Sequence, residues 1–287
     1  MVERNELAER LNRAADALRR RIGARLPTIG IILGSGLNPL AEKIEDAAFV
    51  PFREVPFMRQ STADGHVGRF VCGDFAGVCV LAMQGRLHGY EGCSAVDVAF
   101  PVWLMNRLGI RQLVTTNAAG AVNAAYQVGD FCVMNDQINL TGRNPIANLD
   151  AAGLAERFFS MLDCFDPRLR AIAREAALET GVRVQEGVYL GVLGPSFETR
   201  AEIRAFRTLG ADTVAMSVCE EVIAARHVGM SVLGMSLITN MACGIQGSSP
   251  NEEEIRDVGA SREDAFEALM RAIVPRMAGE AFCAPGV

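Results

Sequence analysis

The sequence contains no pair of cysteines in a C-x-x-C arrangement and no apolar run long enough to cross a membrane. Its eight cysteines are scattered over 287 residues, which favours reduced thiols over a disulfide framework or a zinc site. The formal net charge of −6 offers no general attraction to nucleic acid or to an anionic membrane. We therefore expect a cytoplasmic protein with no metal, no nucleic-acid partner and no membrane partner.

Two side-chain types are scarce, because Lys43 is the only lysine and the chain has only three histidines. Residues 3–22 form a charged amphipathic pattern that predicts a helix and lacks the apolar stretch of a signal peptide. Half of the residues are hydrophobic, and no repeat or low-complexity linker divides the chain. We therefore predict a single α/β domain over residues 1–287.

A predicted strand that runs into a helix carries a candidate binding pair. Residues 188–193 form an apolar run that suits one buried strand, and Thr199 can cap a helix that begins at the next residue. Phe197 and Glu198 then lie at the carboxyl end of the strand, where open α/β sheets bind their ligands. The ring could stack on a planar heterocycle, and the carboxylate could accept its N–H groups. A plain helix-entry turn, with the ring in the core and the carboxylate near the helix dipole, fits this stretch equally well.

A Gly-Ser-Gly turn at residues 34–36 is a candidate anion site. It follows a predicted strand at 28–33 and precedes a predicted helix, so its N–H groups and the Ser35 hydroxyl could face a phosphate. It lacks the lysine of a Walker A loop and the third glycine of a dinucleotide fingerprint. A tight turn without a ligand would look the same. The polar, glycine-rich stretch at 61–69 is predicted to be a mobile loop.

A second candidate anion site follows a predicted hairpin at residues 70–83. Arg86, His88 and Tyr90 alternate there, so on an extended chain all three would project to one side. An arginine fork, an imidazole and a phenol aimed together suit a phosphate beside a sugar. The alternative is an exposed polar strand end.

Three more predicted strands end in small or polar residues. The strand at 112–116 is followed by small residues at 117–123, which would let a ligand approach the backbone closely. A well-packed turn would look similar. A short strand ends at Ser217 before a helix, and another apolar strand ends before Asn240. The last helix is predicted over residues 251–271.

Taken together, these segments resemble the homotrimeric purine nucleoside phosphorylases. The resemblance covers about residues 29–251 and rests on seven motifs in that family's order and spacing: GSGLNPLA, DGHVGRF, MQGRLHGYEG, TTNAAGAVN, GVYLGVLGPSFETRAE, MSVCEEVIAARH and SLITN. It implies reversible phosphorolysis of 6-oxopurine ribonucleosides and deoxyribonucleosides to free base and (deoxy)ribose 1-phosphate. Inosine and guanosine are the expected substrates, with xanthosine as a further candidate. It also implies a mixed central β-sheet with a distorted barrel flanked by helices, and sites at subunit interfaces.

The resemblance assigns roles to individual residues of this chain. His88, Glu198 and Asn240 would act in catalysis, and phosphate would be held by Ser35, His66, Arg86, His88, the Ala118 N–H and Ser217. The nucleoside would be bound by Tyr90, Asn117, Ala118, Phe158, Phe197, Glu198, Met216, Thr239, Asn240 and Glu252. Phe158 would reach in from a neighbouring subunit of a homotrimer, and His66 would lie on a gate loop. Inorganic phosphate would be a co-substrate, with no cofactor and no metal.

The sequence departs from the family pattern in three places. A Val-Cys-Glu-Glu run occupies residues 218–221, where the family usually has Thr-Val-Pro-Glu. The loop at 144–150 lacks the usual Gly-Pro-Asn, and Glu252 replaces the histidine expected to touch the ribose 5′-hydroxyl. These departures concern loop conformation and sugar preference more than reaction class.

Three alternative functions remain open from the sequence. A 5′-methylthioadenosine phosphorylase would have a serine and an aspartate in place of Glu198 and Asn240, a pattern suited to 6-aminopurines. A nucleosidase that uses water would have no purpose for the phosphate-binding groups. A non-catalytic purine-binding protein is the alternative outside the enzymes.

Overall fold

The computed structural model describes residues 5–63 and 65–280. Cys283, Asp64 and the first residues of the predicted N-terminal helix lie outside the described residues. The α-helices are α1 (Glu6–Ile22), α2 (Ala95–Arg107), α3 (Leu149–Ala152), α4 (Pro167–Thr180), α5 (Arg200–Thr208), α6 (Cys219–His227), α7 (Glu252–Ser261) and α8 (Glu263–Gly279). The strands are β1 (Ile29–Leu33), β2 (Glu45–Pro51), β3 (Arg69–Phe75), β4 (Val78–Gln84), β5 (Gln112–Ala121), β6 (Phe131–Asn139), β7 (Val184–Gly191), β8 (Thr213–Ala215) and β9 (Ser231–Met241).

The nine strands form one mixed sheet in the order β2-β3-β4-β1-β5-β8-β7-β6-β9. Because β9 also pairs with β5, the last five strands close into a barrel. Pairing is parallel for β5–β9, β6–β7 and β7–β8, and antiparallel for β5–β8 and β6–β9. Register shifts interrupt two parallel pairs, between Ala119 and Gly120 and between Met134 and Asp136. The predicted mixed sheet with a distorted barrel is therefore confirmed.

Two helical layers cover the sheet because its central strands are apolar on both faces. All five residues of β1 are buried, and they alternate between two hydrophobic clusters. Ile32 lies in the cluster formed with α1, α2 and α6, whereas Ile31 and Leu33 lie in the cluster formed with α4 and α8. No helix in the described ranges is both long enough and apolar enough to traverse a bilayer.

Side-chain caps mark the starts of two helices, and the one at Thr199 was predicted. The Thr199 hydroxyl accepts a hydrogen bond from the Glu202 N–H, and the Glu202 carboxylate accepts one from the Thr199 N–H, a reciprocal capping box for α5. Asp166 caps α4, with Pro167 at the first helical position. The β3–β4 hairpin is also present as predicted.

Four segments differ from their predictions. Asn38–Lys43 is a short 3₁₀ helix, with Pro39 in its first turn. The helix predicted over 251–271 is broken at Arg262, whose backbone leaves the helical region between α7 and α8. Residues predicted as a turn after β5 stay in the strand through Ala121, because β8 and β9 pair with them. Likewise, Asn240 lies inside β9 rather than after it.

Candidate active site

A cavity of about 420 Å³ lies where β1, β5, β8 and β9 meet the segments after β4 and β7. It brings together thirteen of the predicted site residues: Ser35, Arg86, His88, Tyr90, Asn117, Ala118, Phe197, Glu198, Met216, Ser217, Thr239, Asn240 and Glu252. Its remaining walls, which were not among the predicted site residues, are Thr62, Ala63, Ala119, Gly120, Pro195, Val214, Ala215, Ile255 and Arg256. Two predicted residues, His66 and Phe158, are not among its walls.

Arg86 is fully buried at one end of the cavity and is held by a buried partner, Glu221. Its Nε and Nη2 atoms donate to the two carboxylate oxygens of Glu221 at 2.9 and 2.8 Å. Nη2 also donates to Thr115 Oγ1 at 2.7 Å, and Nη1 donates to the Thr116 carbonyl. Within the described residues, four of the five guanidinium N–H groups thus have protein partners, and one on Nη1 remains for a ligand.

Ser35 reaches the cavity because Gly34 lets the chain pass close to β5. A Cβ atom on Gly34 would lie 2.6 Å from the Thr116 carbonyl oxygen and 2.9 Å from Arg86 Nη1, which leaves no room for a side chain. The Gly34 N–H donates to Thr116 Oγ1 at 3.3 Å. Gly34 therefore allows the loop that carries Ser35 to lie directly beside Arg86.

His88 is oriented by Glu91. Its Nδ1 atom and its backbone N–H both lie within 2.9 Å of Glu91 Oε1. Burial alone would raise the pKa of Glu91, but hydrogen bonds from His88 and Thr62 outweigh burial and lower the pKa to about 2. Burial also lowers the pKa of His88. A neutral imidazole beside an ionised carboxylate carries its proton on Nδ1, so Nε2 is the hydrogen-bond acceptor.

The predicted extended chain through Arg86, His88 and Tyr90 is wrong in its geometry. Gly89–Glu91 is a 3₁₀ turn, and the rings of His88 and Tyr90 stack with centroids 4.6 Å apart. The turn brings the Glu91 carboxylate back to the His88 backbone N–H, and an extended chain could not make this hydrogen bond. All three side chains nevertheless line the same cavity.

The first residues of the loop predicted at 61–69 are fixed by hydrogen bonds to Glu91. Glu91 Oε2 accepts hydrogen bonds from the Ser61 hydroxyl, the Thr62 hydroxyl and the Ala63 N–H at 3.0 to 3.2 Å. His66 is not among the cavity walls but lies directly behind them: its Nδ1 accepts from the Arg86 backbone N–H at 3.0 Å, and its ring packs edge-on against that of His88, with centroids 5.2 Å apart. Burial lowers the pKa of His66 to about 3, and its contact with phosphate stays a prediction.

The opposite end of the cavity combines an aromatic ring, a carboxylate and an amide. Burial raises the pKa of Glu198, and the nearby Glu202 carboxylate adds to this effect. Asn240 Oδ1 accepts from the Thr239 hydroxyl at 2.9 Å, and Nδ2 donates to the Met241 carbonyl at 3.1 Å. One Nδ2 hydrogen therefore remains for a ligand. Phe197 is 41% exposed, so its ring is an accessible wall and not a core residue.

Helix α7 covers a third side of the cavity through Glu252, Ile255 and Arg256. It packs against the Ser35 loop, since a Cβ on Gly36 would lie only 2.9 Å from Gly259 Cα. Gly36 also has a φ of +74°, a backbone conformation that favours glycine. Burial raises the pKa of Tyr90 to about 12, with smaller contributions from Glu91 and Glu252. Glu252 thus lies near Tyr90 and faces the cavity mouth.

Phe158 lies outside the cavity of its own chain. Its side chain is 84% exposed, and it borders a separate hollow with Phe159. The Phe159 ring is half-buried and packs against His227, with centroids 5.1 Å apart. His227 is buried at the end of α6.

Comparison with known proteins identifies relatives along nearly the whole chain. Residues 28–275 match the family model described as the phosphorylase superfamily. The chain is 45% identical to purine nucleoside phosphorylase 1 of Geobacillus stearothermophilus, over 88% of this chain and 92% of that protein. It is 42% identical to purine nucleoside phosphorylase 1 of Bacillus subtilis, over 93% and 98% of the two chains.

Solved structures agree with these sequence relatives. Schistosoma mansoni purine nucleoside phosphorylase in complex with adenosine is 34% identical, with a TM-score of 0.88 over 94% of this chain and 97% of that chain. The same protein in complex with inosine has a TM-score of 0.87 over 93% and 95%. The resemblance inferred from seven motifs is confirmed. The chain belongs to the phosphorylase superfamily, as a member of its purine nucleoside phosphorylase family.

Proposed function

We propose that this enzyme catalyses reversible phosphorolysis of 6-oxopurine nucleosides, with inorganic phosphate as co-substrate, no cofactor, and the cytoplasm as its location. One observation carries the proposal. A single cavity joins an anion end, with Ser35, Arg86 and Ser217, to a base end with Glu198 and Asn240. Related enzymes have been solved with inosine and with adenosine, which supports a purine nucleoside as the occupant.

The chemistry follows from the charge that develops as the glycosidic bond breaks. Positive charge grows on the ribose, and a phosphate held at the anion end stabilises it from below the sugar. Negative charge grows on the departing base, and the free Nδ2 hydrogen of Asn240 would donate to purine N7 and to the 6-oxygen beside it. The Glu198 carboxylate would accept from N1–H, which a 6-oxopurine carries and a 6-aminopurine lacks. His88 Nε2 would accept a hydrogen bond from the hydroxyl of the phosphate dianion.

Release of hypoxanthine from inosine, with and without phosphate, tests the proposal. We expect release only with phosphate, accompanied by ribose 1-phosphate. Release without phosphate would identify a nucleosidase, and binding without release would identify a purine-binding protein. Faster turnover of 5′-methylthioadenosine than of inosine would favour the 6-aminopurine alternative.

Asn240→Asp should shift base preference toward adenosine. A carboxylate at this position accepts from a 6-amino group and repels a 6-carbonyl oxygen. We expect the ratio of kcat/KM for inosine to that for adenosine to fall at least about tenfold, equivalent to about 1.4 kcal/mol. An unchanged ratio would show that Asn240 does not distinguish the bases.

We also propose a homotrimer in which Phe158 completes the site of a neighbouring subunit. The exposed Phe158 ring needs burial, and the hollow beside it lies apart from the cavity of its own chain. Phe158→Ala should raise the KM for inosine several-fold while leaving the melting temperature nearly unchanged. Light scattering provides the companion measurement, and an active monomer at assay concentration would contradict the proposal.

Glu252 should select for a 5′-hydroxyl on the sugar. Its carboxylate can accept a hydrogen bond from that hydroxyl. An apolar 5′-methyl group would displace water from the carboxylate without supplying a donor, at a cost of up to several kcal/mol. We expect 5′-deoxyinosine to have a markedly lower kcat/KM than inosine, and Glu252→Ala to narrow this gap. Glu253→Ala is the matched control, since Glu253 is on the same helical turn but not among the cavity walls. Equal ratios in all three proteins would place Glu252 in solvent.

A further inference from the structure

The turn that presents Ser217 to the cavity has an unusual backbone. Val218 has φ of 71° and ψ of −50°, and the Cys219 N–H donates to the Ser217 carbonyl at 2.8 Å. This is a γ-turn with positive φ, a rare and strained conformation, and valine is β-branched. Such a turn persists only where its surroundings hold it in place.

Tyr189 holds this turn from the hydrophobic cluster that packs against α6. It lies on β7 beside Thr213 of β8, and it is completely buried. Its hydroxyl donates to the Ser217 carbonyl at 2.6 Å and accepts from the Ser217 N–H at 3.2 Å. One hydroxyl group therefore fixes both polar atoms of the Ser217 backbone.

The tyrosine itself does not touch the cavity. Ser217 is among the cavity walls, whereas Tyr189 lies behind it. Burial raises the pKa of Tyr189 well above its usual value, so the hydroxyl keeps its proton and remains a donor. Any influence on a ligand must pass through the position of Ser217.

We propose that Tyr189 is a positioning residue for the anion end of the site. Its hydroxyl holds the strained turn so that the Ser217 hydroxyl faces bound phosphate. This inference rests on the proposed phosphorolysis. The two can fail separately, since phosphate-dependent release of hypoxanthine by the wild-type enzyme tests the reaction alone.

Tyr189→Phe removes only the hydroxyl, and the chain offers a matched control. Tyr126 is another buried tyrosine, whose hydroxyl donates to the Glu186 carbonyl at 3.1 Å, and it does not line the cavity. We expect Tyr189→Phe to raise the KM for phosphate about tenfold, in line with the loss of a buried hydrogen bond. The KM for inosine and the affinity for hypoxanthine without phosphate should change less than about twofold. Tyr126→Phe should lower the melting temperature similarly and leave the phosphate KM unchanged.

A double-mutant cycle with Ser217→Ala completes the test. If Tyr189 acts through Ser217, Tyr189→Phe should have little further effect on phosphate KM once the serine hydroxyl is gone. Additive effects would overturn the proposal. An unchanged phosphate KM in Tyr189→Phe would also overturn it, as would equal increases in both tyrosine variants, because either result indicates a purely structural role.

Discussion

Glu198→Ala should lower kcat/KM for inosine about tenfold to a hundredfold or more. The change removes a charge-assisted hydrogen bond of about 1.5–3 kcal/mol to the purine, and each 1.4 kcal/mol corresponds to a factor of ten in rate. Steady-state hypoxanthine release measures the effect. Glu202→Ala is the matched control, because Glu202 is a nearby carboxylate that caps α5 and is not among the cavity walls. Equal losses in the two variants would show that helix capping, and not base binding, is responsible.

The same carboxylate should cause the pH profile of kcat/KM for inosine to fall on its acidic side. Burial raises the pKa of Glu198 above its ordinary 4.5, so the accepting carboxylate is lost as the pH falls through that raised value. Wild-type kcat/KM for inosine should therefore decline on acidification. In Glu198→Ala, kcat/KM should be low and should not show this decline at acidic pH.

Arg86→Met should destabilise the fold by about 3–5 kcal/mol and also impair the use of phosphate. The substitution leaves Glu221, which is only 2% exposed, as a buried charge without its partner. Urea denaturation measures the loss of stability, and phosphate KM measures the loss of binding. Arg271→Met is the control, since the ion pair of Arg271 with Glu267 is half-exposed and should contribute less than about 1 kcal/mol.

The double variant Arg86→Met/Glu221→Gln separates the two effects. It removes both charges, so much of the stability should return while phosphate KM stays high. If the stability of Arg86→Met equalled that of wild type, the buried ion pair would have no structural role. If phosphate KM stayed normal in both variants, Arg86 would not contact phosphate.

Local signals in the sequence predicted the ends of elements well. The Thr199 cap and the β3–β4 hairpin each depend on neighbours within a few residues. For Phe197 the local pattern allowed both a core ring and an accessible ring, and the structure shows the accessible one. A polar residue after an apolar run also singled out Ser217, which follows β8, and Asn240, which lies inside β9 and not after it. The resemblance to one family then added residues that no local pattern distinguishes, such as Ala118.

Long-range pairings could not be predicted in this way. Glu221 lies 135 positions from Arg86, and its place in the first turn of α6 gave only the ordinary signal of an acidic helix start. Glu91 folds back on His88 through a hydrogen bond that no periodicity reveals, which is why an extended chain was predicted there. Closure of the barrel depends on β5–β9 pairing across more than a hundred residues, a contact that appears only in the assembled fold.

The ion pair between Arg86 and Glu221 sets the electrostatic attraction between the pocket and a phosphate ion that is still in solvent. Two cationic side chains line the pocket, but Glu221 cancels the charge of Arg86, and Glu252, one turn away on α7, balances that of Arg256. His88 is neutral, and the ionised Glu91 adds a negative charge. The pocket therefore exerts no long-range attraction on an approaching dianion, and capture depends on hydrogen bonds made at contact. Because counter-ions screen only long-range fields, phosphate recognition should be nearly independent of ionic strength. Discrimination among oxyanions then depends on the fit of donors and acceptors and not on their charge.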